Sequence, residues 1–244
     1  MAAPPTLRLY RLPEETIELF AVSRDRGHVE VMRGFPRDLG PTPRAQGAIL
    51  WRLDVASALL AVQSVGLVPN YPQWEKVGEL EVATPPSGSS LSFQLSLACQ
   101  KTPPSPVPEH LRQAVKQGRA QAQAQRRSTL EASGAVVPET PPRGSYRSKK
   151  VIVPEGERPE WFRGRMEKIG LNVVGDPEIS RLERARLGRK RGTVPFVNVG
   201  FTAEVTNQEA LAKAIETGVG AAKSYGLGLL LVDQPLLANQ QETR

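Results

Sequence analysis

The chain has 244 residues, enough for one large domain or for two domains of roughly 100 residues each. Its 39% hydrophobic content can form a core and argues against wholesale disorder. One cysteine, Cys99, excludes a disulfide framework, and two histidines, His28 and His110, supply a multi-histidine metal centre poorly. No apolar stretch reaches the roughly 18 residues of a membrane span, and the N-terminus lacks a signal-peptide core. We therefore expect a cytoplasmic protein with no membrane contact, no metal and no cofactor.

The positive charge of the chain is concentrated in its middle. The net charge is +7 and the isoelectric point is about 9.8. Residues 101–192 hold 20 basic and 10 acidic side chains, whereas residues 1–100 and 193–244 are both slightly acidic. A charge spread for solubility would be even. A concentrated positive charge favours a polyanionic partner, because neutralising the phosphates of that partner releases counterions.

The first hundred residues are typical of strands with a short helix. Leu7 to Leu12 and Ile49 to Leu53 are predicted strands. The clearest pattern is LSFQLSLAC, residues 91–99, in which apolar and polar side chains alternate with period two. Turn residues 85–88 precede it and predict a hairpin with residues 78–83.

A change of composition divides the chain. Residues 102–148 begin with a proline-rich break, continue with an Ala, Gln and Arg-rich stretch, and end in a basic segment typical of a linker. We therefore predict an N-terminal domain over 1–101, a linker or insertion over 102–148, and a C-terminal domain over 149–244.

The C-terminal part again shows regular periodicity. A helix is predicted over 160–169, and a second helix should open at a capping box, 206–209, and end at Gly218. The predicted strands are residues 151–153, 171–174, 197–205 and the apolar run LLLV. The order is βαββαβ, the ferredoxin-like unit. With the N-terminal half as a second, degraded copy, the predicted fold class is α+β, with two tandem ferredoxin-like domains.

Near the C-terminus stands a glycine-rich loop, GVGAAKSYGLG, residues 218–228. Glycines let backbone N–H groups approach a phosphate closely, and they also permit tight connections between packed elements. The loop follows a helix and precedes a strand, which is neither a P-loop nor a Rossmann turn. Phosphate binding and packing are both open interpretations of this loop.

The same loop resembles the terminal signature of the RAMP proteins, above all the subtype I-E CRISPR repeat-processing endoribonucleases of the CasE type. The matching positions are Gly218, Gly220, Lys223, Tyr225, Gly226, Gly228, Leu229 and Leu230. The upstream segments PEWFRGRMEKIGLNV and FVNVGFTAEVTNQEAL fit in order, so the resemblance covers about residues 155–235. It implies two ferredoxin-like domains and cleavage of CRISPR repeat RNA at the base of a hairpin.

The N-terminal resemblance rests on His28 with Phe35-Pro36 at the family's spacing. It implies that His28 is the catalytic histidine on the first helix. Two positions depart from the pattern, because Asp25 replaces the family tyrosine and Val29 replaces a basic residue. Nearby arginines are candidates to supply the missing cation, namely Arg24, Arg26 and Arg33.

RNA can be cut without a metal because its 2′-hydroxyl is an internal nucleophile. Histidine suits the required proton transfer, since its unperturbed pKa is about 6.5, and such help is worth about 10²–10⁴-fold. An ordinary surface histidine is the alternative interpretation of His28.

Six cations crowd the segment 181–191, and Leu182 and Leu187 should mark its inner face. We predict an arginine-bearing hairpin that grips an RNA stem by shape and phosphate contact, with a solvated charged loop as the alternative. The candidate RNA-binding residues, besides those beside His28, are Lys101, Arg181, Arg184, Arg186, Arg189, Lys190, Arg191, Gly220, Lys223 and Tyr225.

The predicted function is a metal-independent endoribonuclease that cleaves CRISPR repeat stem-loops. The resemblance further implies that it stays on the 3′ hairpin of the crRNA, in contact with other subunits of the Cascade complex. Two alternatives are a non-catalytic RAMP subunit that holds the hairpin without cutting it, which the missing tyrosine favours, and a basic RNA-binding protein unrelated to CRISPR.

Overall fold

A computed structural model describes residues 4–39, 43–103, 150–187 and 192–232, with scattered positions between 117 and 132. The chain forms two compact units, one of residues 1–100 and 152–244 and the other of residues 101–151. The predicted segment 102–148 falls in the second unit, and nearly all of it lies outside the described residues. Its role as a linker or insertion stays a prediction.

The first sheet is built from the N-terminal part of the chain. Its elements are β1 (Pro5–Arg11), α1 (Glu14–Val22), α2 (Arg24–Arg33), α3 (Pro43–Gln46), β2 (Leu50–Asp54), β3 (Leu59–Val65) and β4 (Glu75–Glu81). The strands run antiparallel in the order β2-β3-β1-β4. This is the ferredoxin-like order, with residues 66–74 in irregular structure where a second helix would stand. The expected degraded copy is therefore present.

The second sheet has the order β11-β5-β10-β8, with β9 paired to β10. Its elements in chain order are β5 (Ser90–Ala98), α4 (Arg158–Glu167), β8 (Leu171–Ile179), β9 (Glu183–Arg186), β10 (Thr193–Val205), α5 (Gln208–Thr217) and β11 (Leu230–Val232). Two short strands, β6 (Gln100–Lys101) and β7 (Val151–Ile152), stand outside this sheet. Single 3₁₀ turns cover Glu155–Glu157 and Lys223–Tyr225. The predicted α+β class with tandem ferredoxin-like sheets is confirmed.

Strand β5 belongs to the second sheet, so the hairpin predicted between it and residues 78–83 is wrong. It pairs with β10 over nine positions, including Phe93 opposite Phe201, whose rings stack with centroids 5.4 Å apart. Residues 78–81 pair with β1 instead. Alternation predicts that a strand has a buried face, and it does not identify the strand alongside. Because β5 is the first strand of the second ferredoxin-like sheet, the predicted role of residues 151–153 as that first strand is also wrong.

The cap of α5 differs from the predicted capping box by one residue. Asn207, not Thr206, is the N-cap, and its side chain accepts a hydrogen bond from the N–H of Ala210 at 3.0 Å. The N–H of Thr206 donates to the carbonyl of Gly170. Both residue types are good caps, so residue type alone does not predict the register. The predicted C-cap, Gly218, is confirmed, with φ at 77°.

One hydrophobic core joins the two sheets. It contains Leu7, Leu50 and Ala61 from the first sheet together with side chains of β5, β10, α4 and α5. A second core lies under α1 and α2 and is rich in aromatic rings: Tyr10, Phe20, Phe35, Trp51, Tyr71 and Trp74. Both cores meet at β2, whose Leu50 and Trp51 point to opposite sides, and this strand lies beside the candidate site.

Candidate functional site

The helix α2 carries His28 on a face that is half-buried. Ser23 caps the helix by accepting the N–H of Arg26 at 3.4 Å, while Gly27 and Val31 are buried on the inner side. The Tyr71 hydroxyl donates to the carbonyl of Val31 at 2.6 Å, which fixes the last turn. The imidazole of His28 is therefore held on a well-anchored helix, and its Nδ1 is covered and has no hydrogen-bond partner among the described residues.

The glycine-rich loop brings the turn 223–225 against α2. The indole Nε1 of Trp51 donates to the carbonyl of Ser224 at 3.3 Å, and Gly226 lies so close to that ring that a Cβ would meet it at 2.6 Å. Two residues further along the loop, the N–H of Gly228 donates to the carbonyl of Ser96 at 2.7 Å. These glycines permit close packing between the two ferredoxin-like halves, which favours the packing interpretation of the loop.

Two charged side chains act on His28 in the folded chain. Burial is the main cause that lowers the pKa of His28, the positive charge of Arg44 lowers it further, and Asp25 acts in the opposite direction. Burial and the same Arg44 charge also lower the pKa of Lys223, whose Nζ donates to the carbonyl of Thr217 at 2.7 Å. Arg44 is thus close enough to act on both groups. Together, His28, Lys223 and Arg44 combine a neutral imidazole with two cations.

The predicted basic hairpin exists as β9 and β10, which pair antiparallel over four positions. Ala185 is buried against Phe196 and Leu227 at the base of the hairpin, whereas Arg184 and Arg186 are exposed on the other face of β9. Side chains alternate along a strand, so the two arginines project to the same side.

The inner face of this hairpin is marked chiefly by Ala185, a residue that the sequence analysis did not single out. Leu187 lies two positions further on and is half-buried, and Leu182 packs against the larger core just before β9 begins. Alanine is small and common on both faces of strands, so its burial has no signal in the sequence.

The other predicted site residues are dispersed. Arg26 and Arg33 are exposed on α2, and Arg33 forms an ion pair with Glu30. Arg24 is half-buried, with its guanidinium 5.7 Å from the ring centroids of both Trp51 and Phe196. Elsewhere, Arg181 is exposed before β9, Gly220 and Tyr225 lie in the glycine-rich loop, and Lys101 lies in the second unit. Arg189, Lys190 and Arg191 fall outside the described residues.

Two further arginines of this region carry no sequence signal of function. Arg44 stands in a short segment, PTPRAQG, that has no periodicity and no motif. Arg52 stands between Trp51 and Leu53 on β2, where alternation does place it on the face opposite theirs. Burial lowers the pKa of both side chains.

The described residues hold neither a metal-binding cluster nor a membrane span. No group of three or more His, Cys, Asp or Glu side chains that could hold a metal ion occurs among them. Within the same residues, no helix is long and apolar enough to cross a bilayer.

Two ferredoxin-like sheets, a basic hairpin and a terminal glycine-rich turn define a protein of the RAMP class. The family model described as CRISPR-associated protein matches residues 21–234, and the chain belongs to that family. The sequence matches none of the curated proteins with which it was compared.

Solved structures of the same fold cover nearly the whole chain. Cse3 of Thermus thermophilus, bound to an RNA representing a pre-cleavage complex, aligns with a TM-score of 0.65 at 16% identity, over 95% of this chain and all of that one. Cas6e of Escherichia coli aligns with a TM-score of 0.56 at 15% identity, over 93% and 98% of the two chains. A chain of a CRISPR RNA-guided surveillance complex gives 0.52 at 14% identity, over 93% and 98%.

Proposed function

We propose that this protein is a metal-independent endoribonuclease that binds and cleaves the stem-loops of CRISPR repeat RNA, then stays on the 3′ hairpin of the crRNA as a Cascade subunit. The observation that carries the proposal is that the charge of Arg44 acts on both His28 and Lys223, while the 223–225 turn packs against the helix of His28. The structural relatives include Cse3 bound to RNA, Cas6e and a chain of an RNA-guided surveillance complex, and they support the choice of substrate and partners.

His28 acts as the general base. A histidine whose pKa is lowered is neutral at pH 7 and can accept a proton from the 2′-hydroxyl. The 2′-oxygen then forms a bond to phosphorus as the bond to the 5′-oxygen breaks, and the departing oxygen takes up a proton. The products carry a 2′,3′-cyclic phosphate, or the 3′-phosphate to which it opens, and a 5′-hydroxyl.

Lys223 and Arg44 stabilise the charge that develops on the phosphorane. The charge of Arg44 acts on both His28 and Lys223, and the turn that carries Lys223 is packed against α2, so little reorganisation is needed as charge develops. Arg44 also supplies positive charge in place of the basic residue that the family carries where this chain has Val29. The chain thus retains a cationic site despite that departure.

The exposed face of the β9–β10 hairpin binds the RNA stem. Arg184 and Arg186 project from one side of β9, and the basic side chains of the connecting loop continue that charge along the sequence. Arg26 and Arg33 add positive charge on the exposed face of α2. Phosphate contacts of this kind grip an A-form stem, whose deep major groove side chains read poorly.

A second candidate function is a non-catalytic RAMP subunit that holds the hairpin without cutting it. The observation that favours it is Asp25, which stands where the family has a tyrosine and which opposes the lowering of the His28 pKa.

Labelled repeat RNA incubated with the purified protein in EDTA separates the candidates. Cleavage supports the nuclease, and tight hairpin binding without cleavage supports the non-catalytic subunit. No preference for a repeat hairpin over other RNA of the same length contradicts both.

The charges around His28 give a signed pH prediction. Arg44→Gln removes a charge that lowers the His28 pKa, so the acidic limb of kcat/KM for cleavage moves to higher pH. Asp25→Asn removes a charge that raises the His28 pKa, so the acidic limb moves to lower pH. The measurement is the pH dependence of single-turnover cleavage, with the enzyme in excess of the RNA but below the concentration that saturates binding. Shifts in the same direction for both variants contradict the assignment of His28 as the base.

Hairpin binding should weaken when the β9 arginines lose their charge. Arg184→Gln with Arg186→Gln is expected to reduce the log–log salt slope of RNA affinity by about 0.7–0.9 for each phosphate that is no longer neutralised. Fluorescence anisotropy over a salt series measures this slope. Arg11→Gln is the control for each of the two single substitutions, since Arg11 is an exposed strand arginine of the first sheet engaged by Glu75. An equal effect in the control assigns the change to net charge alone.

A further inference from the structure

Arg24, the first residue of α2, and Arg52 on β2 have no ionic partner among the described residues. Arg24 and Arg52 each have a covered Nη1 with no hydrogen-bond partner, and neither side chain forms an ion pair in the part of the chain that the structure describes. They lie close enough for the charge of Arg52 to disfavour the charged form of Arg24 and lower its pKa. Such an arrangement costs free energy in the unliganded protein, because buried charges are normally paired.

The nearby carboxylates are occupied elsewhere. Glu183 attracts Arg24, yet its Oε1 accepts a hydrogen bond from Asn198 Nδ2 at 2.8 Å. Asp54 attracts Arg52, yet its two oxygens accept the Ala56 N–H and the Ser57 hydroxyl. Neither acid pairs directly with an arginine of the pair, so both guanidinium groups keep donors available. An external anion is the group that would pair them.

Arg52 also lines a cleft on the polar face of the second sheet. The cleft has a volume of about 450 Å³, which is at the small end of ligand sites. Its walls mix hydrogen-bond donors and acceptors, a composition suited to the edge of a nucleobase. The polar side chains besides Arg52 are Gln94, Glu178, Ser180 and Asn198.

We propose that this cleft binds one unpaired nucleotide of the RNA, with its phosphate on Arg52 and Arg24 and its base edge against Gln94. The proposal rests on the proposed function, because it assumes that the hairpin is bound nearby. An unpaired nucleotide is required, since the edges of a paired base are already used within the stem. With no ion pair to a described residue to break, the two guanidinium groups can turn toward the phosphate.

The test compares a repeat hairpin with the same hairpin carrying a short single-stranded extension, on the 5′ side in one arm and the 3′ side in the other. The wild-type protein is expected to bind one extended RNA about 10- to 100-fold more tightly, the gain typical of charge-assisted hydrogen bonds. Arg52→Gln should remove most of that gain. Gln94→Ala, an exposed cleft residue, should remove part of it.

Arg11→Gln serves again as the charge-matched control and should keep the whole gain. Thermal melting without RNA provides a second readout, and Arg52→Gln should melt no lower than wild type because no ion pair is broken. A gain that persists in Arg52→Gln overturns the proposal. So does a lower melting temperature combined with equal weakening toward both RNAs, since that marks a structural role. If wild type binds neither RNA, the proposed function itself fails.

Discussion

Replacing His28 with alanine is expected to slow cleavage of the repeat hairpin by about 10²–10⁴-fold, the usual contribution of general acid–base help. Burial and the charge of Arg44 lower the pKa of the imidazole, so the substitution removes the group proposed to accept the 2′-hydroxyl proton. The measurement is single-turnover cleavage of labelled RNA in EDTA. Affinity for the hairpin should change little, because the proposed stem contacts are made by the arginines of the β9–β10 hairpin.

His110→Ala is the matched control, since His110 is the other histidine of the chain. It should cleave at the wild-type rate. If His28→Ala cleaves normally and His110→Ala does not, the catalytic role belongs to His110. Equal weakening of binding and cleavage in His28→Ala would instead assign His28 to RNA binding.

The second large effect concerns folding. Gly228→Ala is expected to lower the free energy of unfolding by about 3 kcal/mol or more, at the upper end of single substitutions. A Cβ at this position would lie 2.3 Å from the carbonyl oxygen of Val219, and the φ of 83° strains any residue with a side chain. The clashing atom is backbone, held by the hydrogen bond from the Val219 N–H to the Gly228 carbonyl at 2.8 Å. Urea unfolding measures the change.

Gly88→Ala separates the two causes. Gly88 has nearly the same φ, 84°, but a Cβ there meets no atom within 4 Å. Only backbone strain remains, so we expect a destabilisation of about 1–2 kcal/mol. Similar values for both variants would show that the close approach of Gly228 to Val219 contributes nothing. RNA cleavage by the Gly228→Ala protein should fall with stability, since the turn that carries Lys223 depends on this packing.

The sequence predicts the fold class and individual elements because periodicity is a local property. The alternation along residues 91–99 and the helix through Thr217 are both present in the structure. The partner of β5 was not predictable, because its apolar face fits either sheet equally well. The same holds for the helix cap, where Thr206 and Asn207 are both suitable residues and both N–H groups donate to the Gly170 carbonyl.

The candidate site was predictable only in part. Lys223 and His28 follow from motifs, although nothing in the spacing of those motifs says that the turn of Lys223 packs against the helix of His28. Arg44 and Arg52 lack any motif, and their importance comes from burial and from the charges beside them. These are properties of the folded chain. The roles of the predicted site residues remain to be tested by the variants above.

The site combines a histidine from the start of the chain with a lysine from a turn close to its other end, and Trp51 holds that turn in place. A growing polypeptide on the ribosome therefore displays the imidazole long before the ammonium group exists. Since the turn must also be packed before Lys223 reaches α2, truncated products of interrupted translation would lack the assembled centre. Transcripts in the cell would thus meet the proposed nuclease only after the turn that carries Lys223 has been synthesised and packed.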